Sequence, residues 1–114
     1  MIIGIILAAG SSTRFGKNSI PKQFQLINNK MVIDYSINAF TNINDIQHII
    51  VVVLKEWKKI ISKKYPNLKV VQGGKTRRES SYLGLMACPK GTTKVLIHDA
   101  ARIFLSEEII LDCI

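Results

Sequence analysis

The residues with the clearest chemical potential follow the first apolar run of the chain. Met1 to Leu7 is apolar apart from one glycine, and it leads directly into Ala8-Ala9-Gly10-Ser11-Ser12-Thr13-Arg14. A buried strand that opens into a loop of small and hydroxylated residues presents backbone N–H groups, and such loops bind phosphates. Ser11, Ser12 and Thr13 fit two roles, as hydrogen-bond donors to phosphate oxygens or as turn residues.

Further residues suited to the same chemistry recur downstream, at Pro21-Lys22-Gln23, Gly73-Gly74, Arg77 and His98-Asp99. Fixed cations such as Arg14 and Lys22 would neutralise a polyanion as charge develops on it. The Asp99 carboxylate is a hard oxygen ligand of the kind that Mg²⁺ takes. A second reading makes Asp99 the cap of a helix that begins at Ala100 and makes His98 a packed structural residue.

The apolar pattern predicts the elements that would position these groups. Uninterrupted apolar or β-branched runs predict strands at 2–7, 48–54, 68–72 and 94–97. Apolar residues at helical spacing predict helices at 31–40, 55–65 and 78–87. The third helix is expected to turn Leu83, Leu85 and Met86 inward, and a fourth helix is expected to start at Ser106.

This alternation of strands and helices predicts an α/β fold with a parallel sheet covered on both faces. In such sheets ligands bind beyond the carboxyl ends of the strands. Gly10, Gly73 and Asp99 each follow a predicted strand, so we expect one shared site at that edge. The length of 114 residues and the 47% apolar content fit at most one domain.

The formal net charge of +8 raises the question of nucleic-acid binding. The chain has four arginines, and all of them lie in or beside the loop motifs: Arg14, Arg77, Arg78 and Arg102. The lysines, by contrast, are scattered along the sequence. This distribution of charge favours a polyanionic small molecule over duplex nucleic acid as the ligand.

Cys88 and Cys113 lie far apart with no CxxC pattern, which argues against a zinc site and fits free thiols in a reducing cytoplasm. The first apolar run is too short to span a bilayer.

Four motifs taken together, LAAGSSTRFG (7–16), PKQF (21–24), VVQGGKTRRESSYLGL (70–85) and VLIHDAAR (95–102), resemble the 2-C-methyl-D-erythritol 4-phosphate cytidylyltransferase family in order and spacing. The resemblance implies a doubly wound, Rossmann-like sheet of the nucleotide-diphospho-sugar transferase type. It implies transfer of CMP from CTP to an alditol phosphate, with release of pyrophosphate and with Mg²⁺ or another divalent cation as cofactor. It also implies a cytoplasmic homodimer that takes small-molecule substrates and no nucleic acid or membrane.

The resemblance also implies residue roles. Arg14 and Lys22 become catalytic cations, Asp99 binds substrate and metal, and Arg102 binds the alditol phosphate. The residues implied in nucleotide binding are Ala8, Ala9, Gly10, Ser11, Ser12, Thr13, Gly74, Arg77 and Ser80. The sequence departs from the family pattern at three positions, where Ser12 replaces a glycine, Lys75 an acidic residue and Ile103 a proline.

The carboxyl end of the chain falls within a predicted helix. Residues 109–114 continue the predicted fourth helix and then stop without a cap. We therefore expect residues 1–114 to be the CTP-binding, amino-terminal part of a single nucleotidyltransferase domain, without the carboxyl-terminal part and the dimer arm. Three alternatives stay open: a ribitol-phosphate cytidylyltransferase, a piece of a bifunctional isoprenoid enzyme, and an inactive nucleotide-binding remnant.

Overall fold

The computed structural model describes residues 1–10 and 22–100. Its elements in chain order are strand β1 (Ile2–Ala8), a 3-10 turn (Lys22–Phe24), short strands β2 (Leu26–Ile27) and β3 (Lys30–Met31), helix α1 (Val32–Thr41), strand β4 (Ile46–Val53), helix α2 (Lys55–Lys64), strand β5 (Lys69–Gln72), helix α3 (Arg77–Met86) and strand β6 (Lys94–Asp99). The predicted strands and helices within these ranges are confirmed to within two residues at each end. No helix in this part of the chain is long and apolar enough to cross a membrane. The predicted helix start at Ser106 lies outside the described residues.

The main sheet has the strand order β5-β4-β1-β6, and each neighbouring pair is parallel. The chain builds the sheet outward from β1 through β4 to β5, and it then returns to the other side of β1 for β6. A reversal of strand order of this kind is a topological switch point, and doubly wound sheets bind ligands beside it. The predicted α/β fold with a parallel sheet is confirmed.

Strand β1 lies at the centre of the sheet and packs on both faces. On one face Ile6 and Ala8 belong to a cluster that includes Ile33 and Phe40 of α1 and Ile61 of α2. On the other face Ile5 and Leu7 pack with residues of β4, and α3 lies over this side. Because each face of β1 is covered, its uninterrupted apolar sequence is the pattern expected of a central parallel strand.

Helix α3 meets the sheet through small residues, and the predicted inward orientation of its large apolar residues is wrong. Ser80 and Gly84 are its buried residues, whereas Leu83, Leu85 and Met86 are exposed. A Cβ placed on Gly84 would lie 2.9 Å from Cγ2 of Ile5. The helix therefore approaches β1 too closely for a large side chain, and periodicity alone did not reveal which face makes that approach.

The β2–β3 hairpin was not predicted. Its turn residues Asn28 and Asn29 both have positive φ angles, which is the backbone conformation of a type I′ turn. The Tyr35 hydroxyl donates to the Ile27 carbonyl at 2.6 Å and ties the hairpin to α1. Strands of two residues carry too little periodicity to be recognised in a sequence.

A buried carboxylate joins α1 to α2. Asp34 is 3% exposed, and it accepts hydrogen bonds from the Met31 amide and from Lys64, at 2.9 and 2.8 Å. The Tyr65 hydroxyl also donates to it. Burial, together with the hydrogen bond to Asp34, raises the pKa of Tyr65 above its usual value. The two helices are thus held together by polar contacts as well as by the apolar core.

Substitution of Gly84 by alanine tests the close approach of α3. Alanine is favoured over glycine by about 1 kcal/mol in an open helix. In this helix the added methyl group would collide with Ile5, so we expect the free energy of unfolding to fall by about 1–3 kcal/mol. Urea unfolding would measure it, with Leu85→Ala at an exposed position of the same helix as control. A more stable Gly84→Ala variant would contradict the packing described here.

Candidate functional site

Three sequence motifs meet at the carboxyl edge of the sheet. Ala8 ends β1 and Asp99 ends the neighbouring strand β6, and Leu7 pairs with Asp99 across the two strands. The Ala100 amide donates to the Leu7 carbonyl at 2.8 Å and extends this pairing past the end of β6. The ends of β1 and β6 therefore lie side by side at the switch point, as the sequence predicted for Gly10 and Asp99.

Gly73 joins the third motif to the same edge. Its amide donates to the Val53 carbonyl at 2.8 Å, so the chain after β5 stays against the end of β4. A Cβ on Gly73 would lie 2.3 Å from Cβ of Ala9 and 2.8 Å from Oγ of Ser80. Only glycine permits this contact, and the close approach of the two loops explains the residue without a turn that requires positive φ.

The loop from Gly74 to Thr76 is fixed to the first turn of α3. The Gly74 amide donates to Oγ of Ser80 at 3.1 Å, and the Lys75 amide donates to the Glu79 carboxylate at 2.8 Å. Thr76 caps the helix by accepting from the Glu79 amide at 3.1 Å. Because the Gly74 and Lys75 N–H groups have partners within the protein, this loop is preformed in shape. Ser80 is buried beneath it.

Exposed cations surround the start of α3. Lys75, Arg77 and Arg78 are all exposed, and Arg77 is the first residue of the helix. The amino-terminal end of a helix already carries partial positive charge. These side chains add to that charge, so this rim of the site would attract an anion.

The Pro-Lys-Gln motif is anchored to the end of β1 through Gln23. The Gln23 side-chain amide donates to the carbonyls of Ala8 and Gly10, each at 2.8 Å. The neighbouring Phe24 ring stacks on Trp57 with ring centroids 4.1 Å apart. The motif was recognised in the sequence as a source of Lys22, but the role of Gln23 was missed. The one available signal was an amide residue placed between the lysine and a buried phenylalanine.

Several predicted site residues lie outside the described residues. These are Ser11, Ser12, Thr13, Arg14 and Arg102. Lys22 begins the 3-10 turn, which places its backbone next to the residue that contacts Gly10. His98 lies edge-on to Phe40 with ring centroids 6.1 Å apart, in agreement with its interpretation as a packed residue.

Asp99 is a carboxylate at this edge with the chemistry to bind a cation. No group of three or more His, Cys, Asp or Glu residues within 1–10 and 22–100 could enclose a metal ion. A single carboxylate fits Mg²⁺ well, because that ion keeps several waters and takes further oxygens from substrate phosphates. Among the described residues, the donor set therefore fits a cation that takes most of its ligands from water and phosphates.

A cleft lies at the opposite end of the sheet, where its strands begin. Its volume is about 360 Å³, and it is lined by residues that include His48, Lys69 and Cys88. Burial raises the pKa of the Cys88 thiol, although nearby Lys69 acts in the other direction. The cleft has none of the loop motifs, so it is distinct from the candidate site.

The comparison with protein families decides the family. Residues 2–114 match the family model described as 2-C-methyl-D-erythritol 4-phosphate cytidylyltransferase. The chain belongs to that family. A cytidylyltransferase of this name from Clostridium botulinum (strain Loch Maree) is 43% identical over 112 residues, which cover 93% of this chain and 48% of the relative. One from Caldanaerobacter subterraneus subsp. tengcongensis is 39% identical and covers 99% of this chain and 52% of the relative.

Solved structures agree with the family. The crystal structure of 4-diphosphocytidyl-2C-methyl-D-erythritol synthase from Anaerococcus prevotii superposes with a TM-score of 0.82 at 29% identity, and the match covers 97% of this chain and 48% of that one. The predicted Rossmann-like nucleotidyltransferase fold is thereby confirmed. The chain spans about half the length of the curated relatives that it matches.

Removal of the Ser80 hydroxyl tests whether its hydrogen bond to Gly74 fixes the loop at residues 73–76. In Ser80→Ala the Gly74 amide would lose its partner, so we expect the free energy of unfolding to fall by about 1 kcal/mol. Ser81→Ala is the matched control, because the same change one residue later removes no hydrogen bond of this loop. Amide hydrogen exchange at Gly74 would report the effect locally, and unchanged exchange in Ser80→Ala would refute the role of Ser80.

Proposed function

We propose that this chain is the CTP-binding, amino-terminal part of a single nucleotidyltransferase domain, and that the complete protein transfers CMP from CTP to 2-C-methyl-D-erythritol 4-phosphate. The products are CDP-methylerythritol, an intermediate of the non-mevalonate pathway to isoprenoids, and pyrophosphate. The observation that supports this most directly is the convergence of Ala8–Gly10, Gly73–Gly74 and Asp99 at the switch point of the sheet. Family membership supplies the choice of substrates.

The proposed roles follow the charge and position of each residue. Backbone N–H groups of the segment from Ala8 to Thr13 would bind the triphosphate. Gly74, Arg77 and Ser80 would shape and charge the side of the site that receives the nucleotide. Asp99 and Arg102 would lie toward the alditol phosphate, and Asp99 would also bind the cation.

Catalysis of this reaction depends mainly on neutralising negative charge and on aligning the two phosphate groups. An ionised oxygen of the alditol phosphate attacks the α-phosphorus of CTP, a new P–O bond forms, and the bond to pyrophosphate breaks. The attacking oxygen carries no proton at neutral pH, so no general base is required. Arg14 and Lys22 would neutralise the charge that develops on the α-phosphate. Asp99 would hold Mg²⁺ or another divalent cation, which when bound would offset part of the negative charge of the phosphates.

Nucleotide binding and turnover by this chain are expected to differ, because it spans about half the length of its curated relatives. The cytidylyltransferase relatives carry as much sequence again as the matched segment, and a chain without it would bind nucleotide while turning over little or no substrate. We therefore propose binding of CTP by this chain and efficient synthesis only by the complete, homodimeric enzyme. Efficient CDP-methylerythritol synthesis by the 114 residues alone would contradict this division.

The complete enzyme is proposed to work in the cytoplasm. Cys88 is a free thiol, as expected where the environment is reducing. The substrates of the complete enzyme are small charged molecules, and neither a membrane nor a nucleic acid enters the reaction.

Titration of the chain with nucleotides tests the proposed binding. Membership of the cytidylyltransferase family leads us to expect that CTP binds more tightly than ATP, GTP or UTP. Mg²⁺ should strengthen the binding, because it offsets the negative charge of the triphosphate. Isothermal titration calorimetry with and without Mg²⁺ would measure this. A folded chain that binds no triphosphate, or that binds all four alike, would contradict CTP recognition.

Substitution of Asp99 by asparagine tests the cation site. The amide is a weaker ligand for a hard cation, so Asp99→Asn is expected to lose most of the gain in CTP affinity that Mg²⁺ provides. Asp45→Asn is the matched control, since Asp45 is exposed and precedes β4 at the opposite edge. The same Mg²⁺ dependence in both variants would remove Asp99 from the cation site.

A further inference from the structure

The side chain of Gln23 holds the end of β1 in a way that the roles above do not use. It is 5% exposed, and its Nε2 atom lies 2.8 Å from the carbonyl oxygens of both Ala8 and Gly10. Because both partners are acceptors, only the NH₂ group of the amide can make these contacts, and both of its hydrogens are used. We refer to this pair of hydrogen bonds as the Gln23 bridge.

The Gln23 bridge controls the direction of the backbone at an anion site. A carbonyl oxygen carries partial negative charge and would repel a phosphate placed beside it. In a planar trans peptide the N–H points away from the C=O. When the Ala8 carbonyl is held by Gln23, the Ala9 N–H is therefore fixed in the opposite direction. The bridge occupies the carbonyl groups of Ala8 and Gly10, and it sets the direction of the Ala9 N–H at the end of β1.

The 3-10 turn that begins at Lys22 is held by contacts to three elements. Phe24, 3% exposed, stacks on Trp57 of α2 with an interplanar angle of 9°. The Gln25 carbonyl accepts from the Val32 amide at 2.9 Å, which ties the following residue to the start of α1. The 3-10 turn thus has one anchor on α2, one on α1 and, through Gln23, one on β1.

We propose that Gln23 is a positioning residue of the nucleotide site. By joining the 3-10 turn to the carbonyls of Ala8 and Gly10, it sets the direction of the peptide groups at the end of β1, where an anion would bind, and it keeps the backbone of Lys22 beside them. This inference rests on the proposed nucleotide binding and adds to it a residue that touches no substrate.

Few other side chains could make the Gln23 bridge. Glutamate has the same length, but its ionised carboxylate would face two carbonyl oxygens. When protonated it has one O–H donor and can restore one of the two contacts. Methionine has a similar length and offers no donor. These differences separate the donor chemistry of Gln23 from its contribution to packing.

The test compares CTP binding by Gln23→Glu and by the wild-type chain at pH 7.5 and 5.5, in the presence of Mg²⁺. Burial and the two carbonyl dipoles would raise the pKa of the introduced carboxyl group. We expect CTP binding by Gln23→Glu to be about tenfold weaker than wild type at pH 7.5. The deficit should shrink at pH 5.5, where the protonated group donates again. Each ratio to wild type is taken at one pH, so protonation of CTP itself cancels.

Gln47→Glu is the matched control. Gln47 uses its carbonyl oxygen, which accepts from the Ile2 amide at 2.7 Å at the other end of β1. A carboxylate accepts equally well, so this variant should follow wild type at both pH values. Gln23→Met is the second variant, and it should bind CTP weakly at both pH values. If Gln23→Glu does not fold at pH 7.5, Gln23→Met is compared with wild type, and wild-type CTP affinity in Gln23→Met overturns the inference.

Two results would overturn the inference. One is wild-type CTP affinity in Gln23→Glu or Gln23→Met at pH 7.5. The other is a deficit in Gln23→Glu that equals that of Gln23→Met and does not change with pH, because it would reflect packing alone.

A ligand-free measurement separates this inference from the proposed function. The side-chain amide protons of Gln23 should exchange with solvent much more slowly than those of exposed Gln47 in NMR spectra of the wild-type chain. If the wild-type chain binds no CTP, the proposed function fails. Slow exchange at Gln23 would then still support the bridge, and fast exchange would overturn it.

Discussion

The burial of β1 on both of its faces is the constraint on which the rest of the structure depends. Ile3, Ile5 and Ile6 have no exposed surface, and each such side chain contributes about 1.5–3 kcal/mol to folding. A strand held this firmly ends at a defined point. Three residues of the site contact that end of the strand: Gln23, Gly73 and Ala100. The packing of the core therefore determines where these residues lie.

The site is organised to receive negative charge. Backbone groups at the end of β1 are set by Gln23, and exposed cations stand at the start of α3. In the proposed function, Asp99 at the end of β6 would provide one carboxylate for a cation that accompanies the phosphates. The positive charge behind the net value of +8 lies partly at the start of α3, while the exposed lysines of α2 contribute a general positive field.

The sequence allowed the sheet and the edge of the site to be predicted, because continuous β-branched runs and the chain order of a doubly wound fold leave few arrangements. It did not allow the face of α3 to be predicted. Gly84 and Ser80 contact the sheet because the helix lies close to it, and small buried residues give a weak apolar signal. The Gln23 bridge was missed for a related reason, since a side chain that serves backbone carbonyls leaves no periodic pattern.

We propose one nucleotide site at the carboxyl edge of the sheet. The most direct test is to map CTP with Mg²⁺ onto the chain by amide chemical shifts in NMR spectra of the ¹⁵N-labelled protein. The largest shifts are expected at Ala9, Gly10, Gly74 and Asp99. Largest shifts around the opposite cleft, at His48, Lys69 and Cys88, would contradict it.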